Sequence, residues 1–136
     1  MSNRLEITGN LGRDPTIKTV KTKDGDKAVA EFSVFADNWK RDDTGKYEPD
    51  GGFWVSVSVW GVTADRAFAH LRKGARVTCA GRFTPHSYES KEHNETRYEL
   101  RLTADDVMLE LSRIETVTFK EKQGIAADAV AERKAA

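Results

Sequence analysis

Residues 53–61, with the sequence FWVSVSVWG, alternate strictly between apolar side chains and a second, unusual set. Successive side chains of a β-strand point to opposite faces of the sheet. The phenylalanine and the three valines therefore predict an apolar inner face that a core must cover. The opposite face carries two tryptophans separated by small hydroxyl side chains, and we call it the tryptophan shelf, formed by Trp54, Ser56, Ser58 and Trp60.

The tryptophan shelf has two interpretations. Flat rings with small neighbours suit planar ligands such as nucleobases, and each base stacked on an aromatic ring contributes about 1–3 kcal/mol to binding. In a sheet covered on both faces, or at a subunit interface, the same rings would be ordinary buried packing. The alternation alone does not decide between the two, so the rest of the chain has to.

Length, charge and cysteine content limit the class of protein. The chain has 136 residues, enough for one domain with its own core. Its 22 basic residues balance 22 acidic residues, so attraction to a polyanion must come from local clusters of cations. The single cysteine, Cys79, excludes an intramolecular disulfide and is interpreted as a small buried hydrophobic residue. With neither an apolar signal region nor a membrane-spanning run, we expect a cytoplasmic protein with no membrane partner.

Alternation elsewhere predicts a sheet of five strands. Glycine inside a strand pattern marks a bend, so the first strand is expected to bend at Gly9 and Gly12 and then to resume. In the second strand, Ala30, Phe32 and every second residue after it face the core. The predicted strands cover residues 5–22 with that bend, then 28–36, 53–61, 75–83 and 97–104.

One short helix is predicted over residues 63–74, between the third and fourth strands. Thr63 is the expected N-terminal cap, and Gly74 ends the helix. Apolar residues recur at the spacing of a helix face that packs on a core. These residues are Ala64, Ala67, Phe68 and Leu71.

Two polar segments, residues 37–52 and 84–96, are predicted as loops longer than hairpins need. The first carries Trp39 beside Lys40 and Arg41, and the second carries Tyr88. An aromatic ring next to cations suits a base and its phosphate. Alternatively, Trp39 folds back onto the sheet as a plug.

The order of the predicted elements is that of an all-β OB-fold. This five-stranded Greek-key barrel, with one helix between strands 3 and 4, binds oligonucleotides or oligosaccharides on its strand 2–3 face and flanking loops. We expect the domain to cover residues 1–111. Residues 112–136 lack a sustained core pattern and are expected to form a flexible tail.

Several short motifs between residues 3 and 108 carry a family resemblance. They are Asn3, Gly9-Asn10-Leu11-Gly12, Asp14-Pro15, Trp54 with residues 55–61, Leu71-Arg72-Lys73-Gly74, Gly81-Arg82 and Arg97-Tyr98. Each is weak alone, but in this order and spacing the chain resembles the bacterial single-stranded DNA-binding (SSB) proteins. The resemblance implies an OB-fold that binds single-stranded DNA with little sequence preference, in replication, recombination or repair, and that usually assembles into a homotetramer.

Residue by residue, the resemblance implies that bases stack on Trp39, Trp54, Trp60 and Tyr88. Cations near these rings are the candidates to neutralise phosphates. They are Lys40, Arg41, Arg72, Lys73, Arg82 and Arg97.

Two departures from the family pattern bear on its partners. SSB proteins typically end in a glycine- and proline-rich tail with an acidic tip that recruits repair and replication enzymes, whereas this chain ends in AERKAA. Recruitment through such a tip is therefore not expected, and a plasmid, phage or integrative-element variant is favoured. Val55 stands where many relatives carry a histidine that supports tetramer contacts, so a dimer is the alternative to the tetramer.

Other functions find less support in the residues. The three histidines, His70, His86 and His93, have no partners at metal-ligand spacing, so no enzyme, metal or cofactor is expected. The alternatives are binding modules. One is a dimeric OB-fold of the primosomal replication type that acts as a protein-assembly platform, and another is an OB-fold whose shelf contacts protein or oligosaccharide.

Overall fold

The computed structural model describes residues 3–92 and 94–121, which form a six-stranded sheet and one α-helix. A single turn of 3₁₀-helix, Leu111–Arg113, follows the last strand. The elements in chain order are β1 (Arg4–Leu11), β2 (Thr16–Thr22), β3 (Gly25–Arg41), β4 (Tyr47–Trp60), α1 (Val62–His70), β5 (Arg76–Ser90) and β6 (Glu95–Leu109).

The strands are ordered β1-β5-β6-β4-β3-β2, and an additional pairing between β1 and β3 closes the sheet into a barrel. All neighbours are antiparallel except β4 and β6. Strands β1 and β2 are the two halves of the predicted bent first strand, and α1 lies between β4 and β5. The predicted OB-fold is therefore confirmed, with its helix in the expected place.

The inner face of β3 and β4 forms the centre of the barrel core. Phe32 is 1% exposed and lies opposite Val57 across the two strands. Val55 is also fully buried here, and Cys79 joins the same cluster. Burial raises the pKa of the Cys79 thiol to about 12, so it is an inert apolar side chain, as predicted. Phe53, predicted to face the core, is 38% exposed because β4 is only entering the barrel at that point.

Two glycines allow the barrel strands to approach closely. A Cβ atom at Gly9 would lie 1.9 Å from the carbonyl oxygen of Phe35, where β1 meets β3. A Cβ atom at Gly81 would lie 2.0 Å from the carbonyl oxygen of Thr103, next to a register shift between β5 and β6. Only glycine fits at these two points, because the obstacle is backbone that cannot move aside.

The prediction of loops over residues 37–52 and 84–96 is wrong, because each segment forms an extended β-hairpin. Strands β3 and β4 continue past the barrel and leave only residues 42–46 as a turn. The Asp42 carboxylate holds this turn by accepting backbone N–H bonds from Thr44 and Lys46, both at 2.9 Å. Strands β5 and β6 extend in the same way to Ser90 and from Glu95. A two-stranded ribbon exposes both faces, so its residues need no apolar alternation that a sequence pattern could reveal.

The helix is shorter than predicted and buries a narrower stripe. The N-terminal cap is Gly61, with a φ of 71°, and not Thr63 as predicted. The helix ends at His70. Ala64 and Ala67 are buried. Phe68, predicted to be part of the core, is 51% exposed. Small alanines let the helix lie close to the sheet, and a large ring one position beyond them is left at the edge of the contact.

Candidate nucleic-acid interface

The tryptophan shelf lies on the outside of the barrel. Trp54 is 56% exposed and Trp60 is 42% exposed, while the two serines between them are half-buried. On the neighbouring strand, Phe35 lies opposite Trp54 and Val29 lies opposite Trp60. Neither indole is part of the core of this chain, because the strict alternation of β4 places the buried valines on the other face.

Trp54 is held in place by two contacts. Its ring packs against Phe35 with the centroids 5.2 Å apart and the planes tilted by 55°. Its far edge covers Gly12, where an added Cβ atom would lie only 2.6 Å from the indole Cη2 atom. A ring that is already positioned loses less conformational freedom when a ligand stacks on it. Gly12 therefore serves the shelf as well as the bend in the chain.

Between the two tryptophans, the surface forms an open polar cavity of about 280 Å³. Its volume is near the lower end of the range for small-molecule sites. Serines from β3 and β4 form its floor, and charged side chains form its walls. The lining residues are Arg13, Glu31, Phe32, Ser33, Ser56, Val57, Ser58, Glu99 and Arg101.

Glu99 is the most firmly held charged group in this cavity. Its carboxylate accepts a 2.8 Å hydrogen bond from the Ser56 hydroxyl and a 3.0 Å bond from Nη2 of Arg101. The Ser56 hydrogen bond, followed by the bond and the positive charge of Arg101, lowers the pKa of Glu99, although partial burial opposes this. A lowered pKa keeps the carboxylate ionised at neutral pH.

Arg13 and Arg101 line the cavity but were missed as candidates in the sequence. Arg101 lies opposite Ser56 in the pairing of β6 with β4, so it shares the face of the tryptophans. Its position four residues after Arg97 was an available signal, because residues of equal parity on a strand share a face. No local pattern identifies Arg13, which reaches the cavity only through the bend at Gly12.

Trp39 lies on the β3–β4 hairpin, where an ionic network fixes the base of the arm. Its indole N–H donates to the carboxylate of Asp37, which also accepts a 3.1 Å bond from Nη1 of Arg76. Nε of Arg76 lies 3.0 Å from Glu110. Burial raises the pKa of Asp37, but the hydrogen bonds from Trp39 and Arg76 outweigh burial, so the pKa lies below its ordinary value. Trp39 is thus tied to the barrel by its own hydrogen bond and does not fold back as a plug.

Tyr88 lies on the second hairpin, opposite Arg97. Arg101 faces outward beside Ser56, and Arg97 is four residues before it, so Arg97 and Tyr88 continue the same outer face. Arg82 joins this face as well, because it lies opposite Thr103 in the next row toward Trp60. The structure therefore brings these three predicted residues onto the surface that carries the tryptophan shelf.

The predicted cations on the hairpins already have acidic or aromatic partners. Lys40 lies 3.7 Å from both Glu48 and Asp50. Arg41 lies over the ring of Tyr47, 5.3 Å from its centroid. Arg97 is 3.2 Å from Glu95. These contacts are exposed and weak, but a phosphate must compete with them.

Arg72 and Lys73 lie in the turn that follows α1. Two backbone N–H groups tie this turn to the bend beneath Trp54: that of Lys73 donates to the Asp14 carboxylate at 2.8 Å, and that of Gly74 donates to the Leu11 carbonyl oxygen at 2.9 Å. Within residues 3–92 and 94–121, the side chains of Arg72, Lys73 and Arg82 form no ion pair. Their charges are open to an anionic ligand.

In the part of the chain that the structure describes, no three histidine, cysteine or acidic residues are grouped closely enough to hold a metal ion. The same residues include no helix of the length and apolarity required to cross a membrane.

Comparison with known proteins connects this chain to one family. The sequence pattern of the single-strand binding protein family matches residues 2–110. The single-stranded DNA-binding protein 1 of Xylella fastidiosa is 30% identical over 107 residues, which cover 79% of this chain and 76% of the relative. The protein of the same name from Clostridium acetobutylicum is 24% identical over 115 residues, covering 85% and 99% of the two chains.

Solved structures share the fold. The small single-stranded DNA-binding protein of Streptomyces coelicolor superposes with a TM-score of 0.62 at 18% identity, covering 83% of this chain and 98% of that one. The Plasmodium falciparum SSB in complex with single-stranded DNA gives a TM-score of 0.57 at 24% identity, with coverages of 79% and 94%. At these identities, the likeness is evidence for the barrel.

Proposed function

Because the chain belongs to the single-strand binding protein family, we propose that it binds single-stranded DNA with broad tolerance of sequence and without catalysing a reaction. The observation that carries this proposal is the tryptophan shelf, with two exposed indoles on one barrel face and small polar side chains between them. A protein that only needed a soluble surface would not expose two indoles there. Every base has a π-face, so stacking on them requires no particular sequence.

The proposed path of the strand runs along the outer face and onto both hairpins. Bases stack on Trp54 and Trp60 at its centre, while Trp39 and Tyr88 extend it along the two arms. The tie between Trp39 and Asp37 and the contact of Trp54 with Phe35 support rings that are already positioned. Pre-positioned rings favour binding because less side-chain freedom is lost.

Phosphate neutralisation is assigned to the cations around this path. Arg72, Lys73 and Arg82 are the readiest, since they have no acidic partner among the described residues. Lys40, Arg41 and Arg97 must give up their contacts with acidic or aromatic side chains before they bind a phosphate. Arg13, in the cavity lining, is a further candidate. The logarithm of affinity should fall with the logarithm of salt concentration at about 0.7 per phosphate contacted.

The proposal includes self-assembly and a cellular setting. A homotetramer is favoured, with a dimer as the alternative. Apolar side chains left exposed at the end of β6 and in the turn after it, among them Met108, Leu109 and Leu111, support a subunit contact. The solution mass from light scattering separates tetramer, dimer and monomer. We place the protein in the cytoplasm with DNA, in replication, recombination or repair.

Intrinsic tryptophan fluorescence during titration with oligo(dT) tests the proposed function. All three tryptophans lie on the proposed path, so binding should quench the emission strongly at low salt and more weakly at high salt. A flat titration at both salt concentrations would refute the stacking path. The shelf would then be a protein-binding or subunit surface, and the protein-platform function would replace DNA binding.

A further inference from the structure

A carboxylate lies where the proposed strand passes. Glu99 lines the cavity between Trp54 and Trp60, on a face that must also accept phosphates. An ionised carboxylate repels phosphates, so its position on a general DNA-binding surface calls for a separate explanation. Glu31 also lines the cavity, but its carboxylate is paired with Lys18 at 3.1 Å.

The contacts of Glu99 hold it in one orientation and leave acceptor capacity free. The Ser56 hydroxyl occupies one position on Oε1, while Nε and Nη2 of Arg101 share Oε2 at 3.2 and 3.0 Å. A carboxylate offers about four lone-pair sites. At least one site therefore stays available to a ligand in the cavity, and that site can only accept a hydrogen bond.

A base can supply such a hydrogen bond only through an N–H group on its edge. Cytosine presents its N4 amino group, and acidic side chains accept from that group in nucleic-acid complexes. Thymine and uracil present the O4 carbonyl at the same position, and their single edge N–H, at N3, lies between the O2 and O4 carbonyls. An ionised carboxylate attracts the amino group of cytosine, whereas at N3–H of thymine or uracil it is repelled by the carbonyl on either side. It therefore distinguishes these pyrimidines while stacking does not.

We propose that Glu99 reads the base that occupies the cavity between the two tryptophans and favours cytosine over thymine or uracil. This inference rests on the proposed function, because it requires a strand that stacks on the shelf. Ser56 and Arg101 act as positioning residues that aim the carboxylate. The protein then binds any single strand, with a preference imposed at one base.

The chain supplies a matched control for Glu99. Glu95 precedes Arg97 on β6 just as Glu99 precedes Arg101, and Nε of each arginine lies 3.2 Å from its glutamate. Glu95 lies outside the cavity. Glu95→Gln therefore removes the same charge and frees an arginine in the same way, without changing the cavity wall.

The experiment compares oligo(dC) with oligo(dU) of equal length, which differ only in the pyrimidine edge, by fluorescence titration at one salt concentration. The wild type should bind oligo(dC) about five- to tenfold more tightly, the lower end of what one hydrogen bond to a base edge can supply. Glu99→Gln should bring the ratio of the two affinities close to one, since an amide can also donate to a carbonyl. Glu95→Gln should leave the ratio unchanged.

Two results would overturn the inference. One is equal affinity of the wild type for the two oligomers. The other is a Glu99→Gln variant that binds both more tightly and keeps their ratio, because Glu99 would then only repel phosphates. If neither oligomer binds to the wild type, the proposed function itself fails, so the two failures are distinguishable.

Discussion

The two faces of β4 differ sharply in burial along the length of the strand that lies in the barrel. On the inner face, three valines are fully buried in the barrel core. On the outer face of the same strand, both indoles stay exposed, and a polar cavity of about 280 Å³ opens between them. One face therefore contributes to folding through burial, while the other retains apolar surface that only a ligand or a partner can cover.

This difference separates stability from binding within one strand. Inner side chains are surrounded by fixed neighbours, so truncating them leaves a cavity. Outer rings contact few neighbours, and their loss removes surface that the folded chain does not use. If the two faces did not behave independently, a substitution on one face would change the property assigned to the other.

The largest expected effect is on the inner face. Phe32→Ala should lower the free energy of unfolding by about 3–5 kcal/mol, because the ring is fully enclosed and leaves a cavity. Chemical denaturation followed by circular dichroism measures it. Phe68→Ala is the matched control, since this exposed ring should change stability by about 0.5 kcal/mol or less. An unchanged denaturation midpoint for Phe32→Ala would contradict the assignment of the core.

The next effect is on the outer face. Trp54→Ala and Trp60→Ala should each weaken binding of oligo(dT) by about 1–3 kcal/mol through the loss of a stacked base. The fold should remain intact in both, as judged by circular dichroism and the denaturation midpoint. If either substitution alone unfolded the protein, the rings would be structural, and the contrast between the two faces would be lost.

A smaller effect is expected where the outer face joins the hairpin. Asp37→Asn removes the charge paired with Arg76 and should lower stability by about 1–2 kcal/mol, the scale of a hydrogen bond to a charged group. The folded state lowers the pKa of Asp37, so the carboxylate contributes stability above its ordinary pKa of 3.8 and loses it as the pH falls below that value.

Denaturation of both proteins between pH 6 and pH 2.5 measures this dependence. The difference between wild type and Asp37→Asn should be constant near pH 6 and should shrink in the most acidic range. A difference that grows toward low pH would mean that Asp37 is not stabilised as a carboxylate. Asp106→Asn is the control, because Asp106 is exposed and forms no ion pair with a described residue.

The smallest effect is expected from the C-terminal segment. Deletion of residues 112–136 leaves all six strands in place, because β6 ends at Leu109. Affinity for oligo(dT) should therefore stay within about threefold of the wild type, less than the loss of one stacked base. A collapse of binding would extend the DNA-binding surface beyond the barrel. The predicted flexible tail lies largely outside the described residues.

Prediction from sequence worked where a side chain's environment depends on its immediate neighbours along the chain. Period-two alternation correctly separated Phe32 and the valines from the two tryptophans, because a strand has only two faces. The bend near Gly9 and the order of the strands and the helix were also predicted. The stacking and phosphate roles of the individual residues remain predictions.

Prediction failed where distant segments decide the outcome. The polar segments around Trp39 and Tyr88 form hairpins because the paired strands β3 and β4, and β5 and β6, continue beyond the barrel. Neither hairpin has an apolar face that a sequence pattern could reveal. Phe68 has helical spacing but lies outside the contact, because the width of that contact depends on how closely α1 approaches the sheet.

The sequence by itself determined the order of the strands and the helix along the chain, the apolar core and the presence of a tryptophan shelf, since each follows from local periodicity and turn residues. Only the tertiary structure decided that Gly12 supports Trp54 and that Glu99 lies between the tryptophans. Bringing β6 beside β4 joins residues 43 positions apart, as in the bond between Ser56 and Glu99. Such a contact depends on the closure of the barrel, which no local pattern of residues encodes.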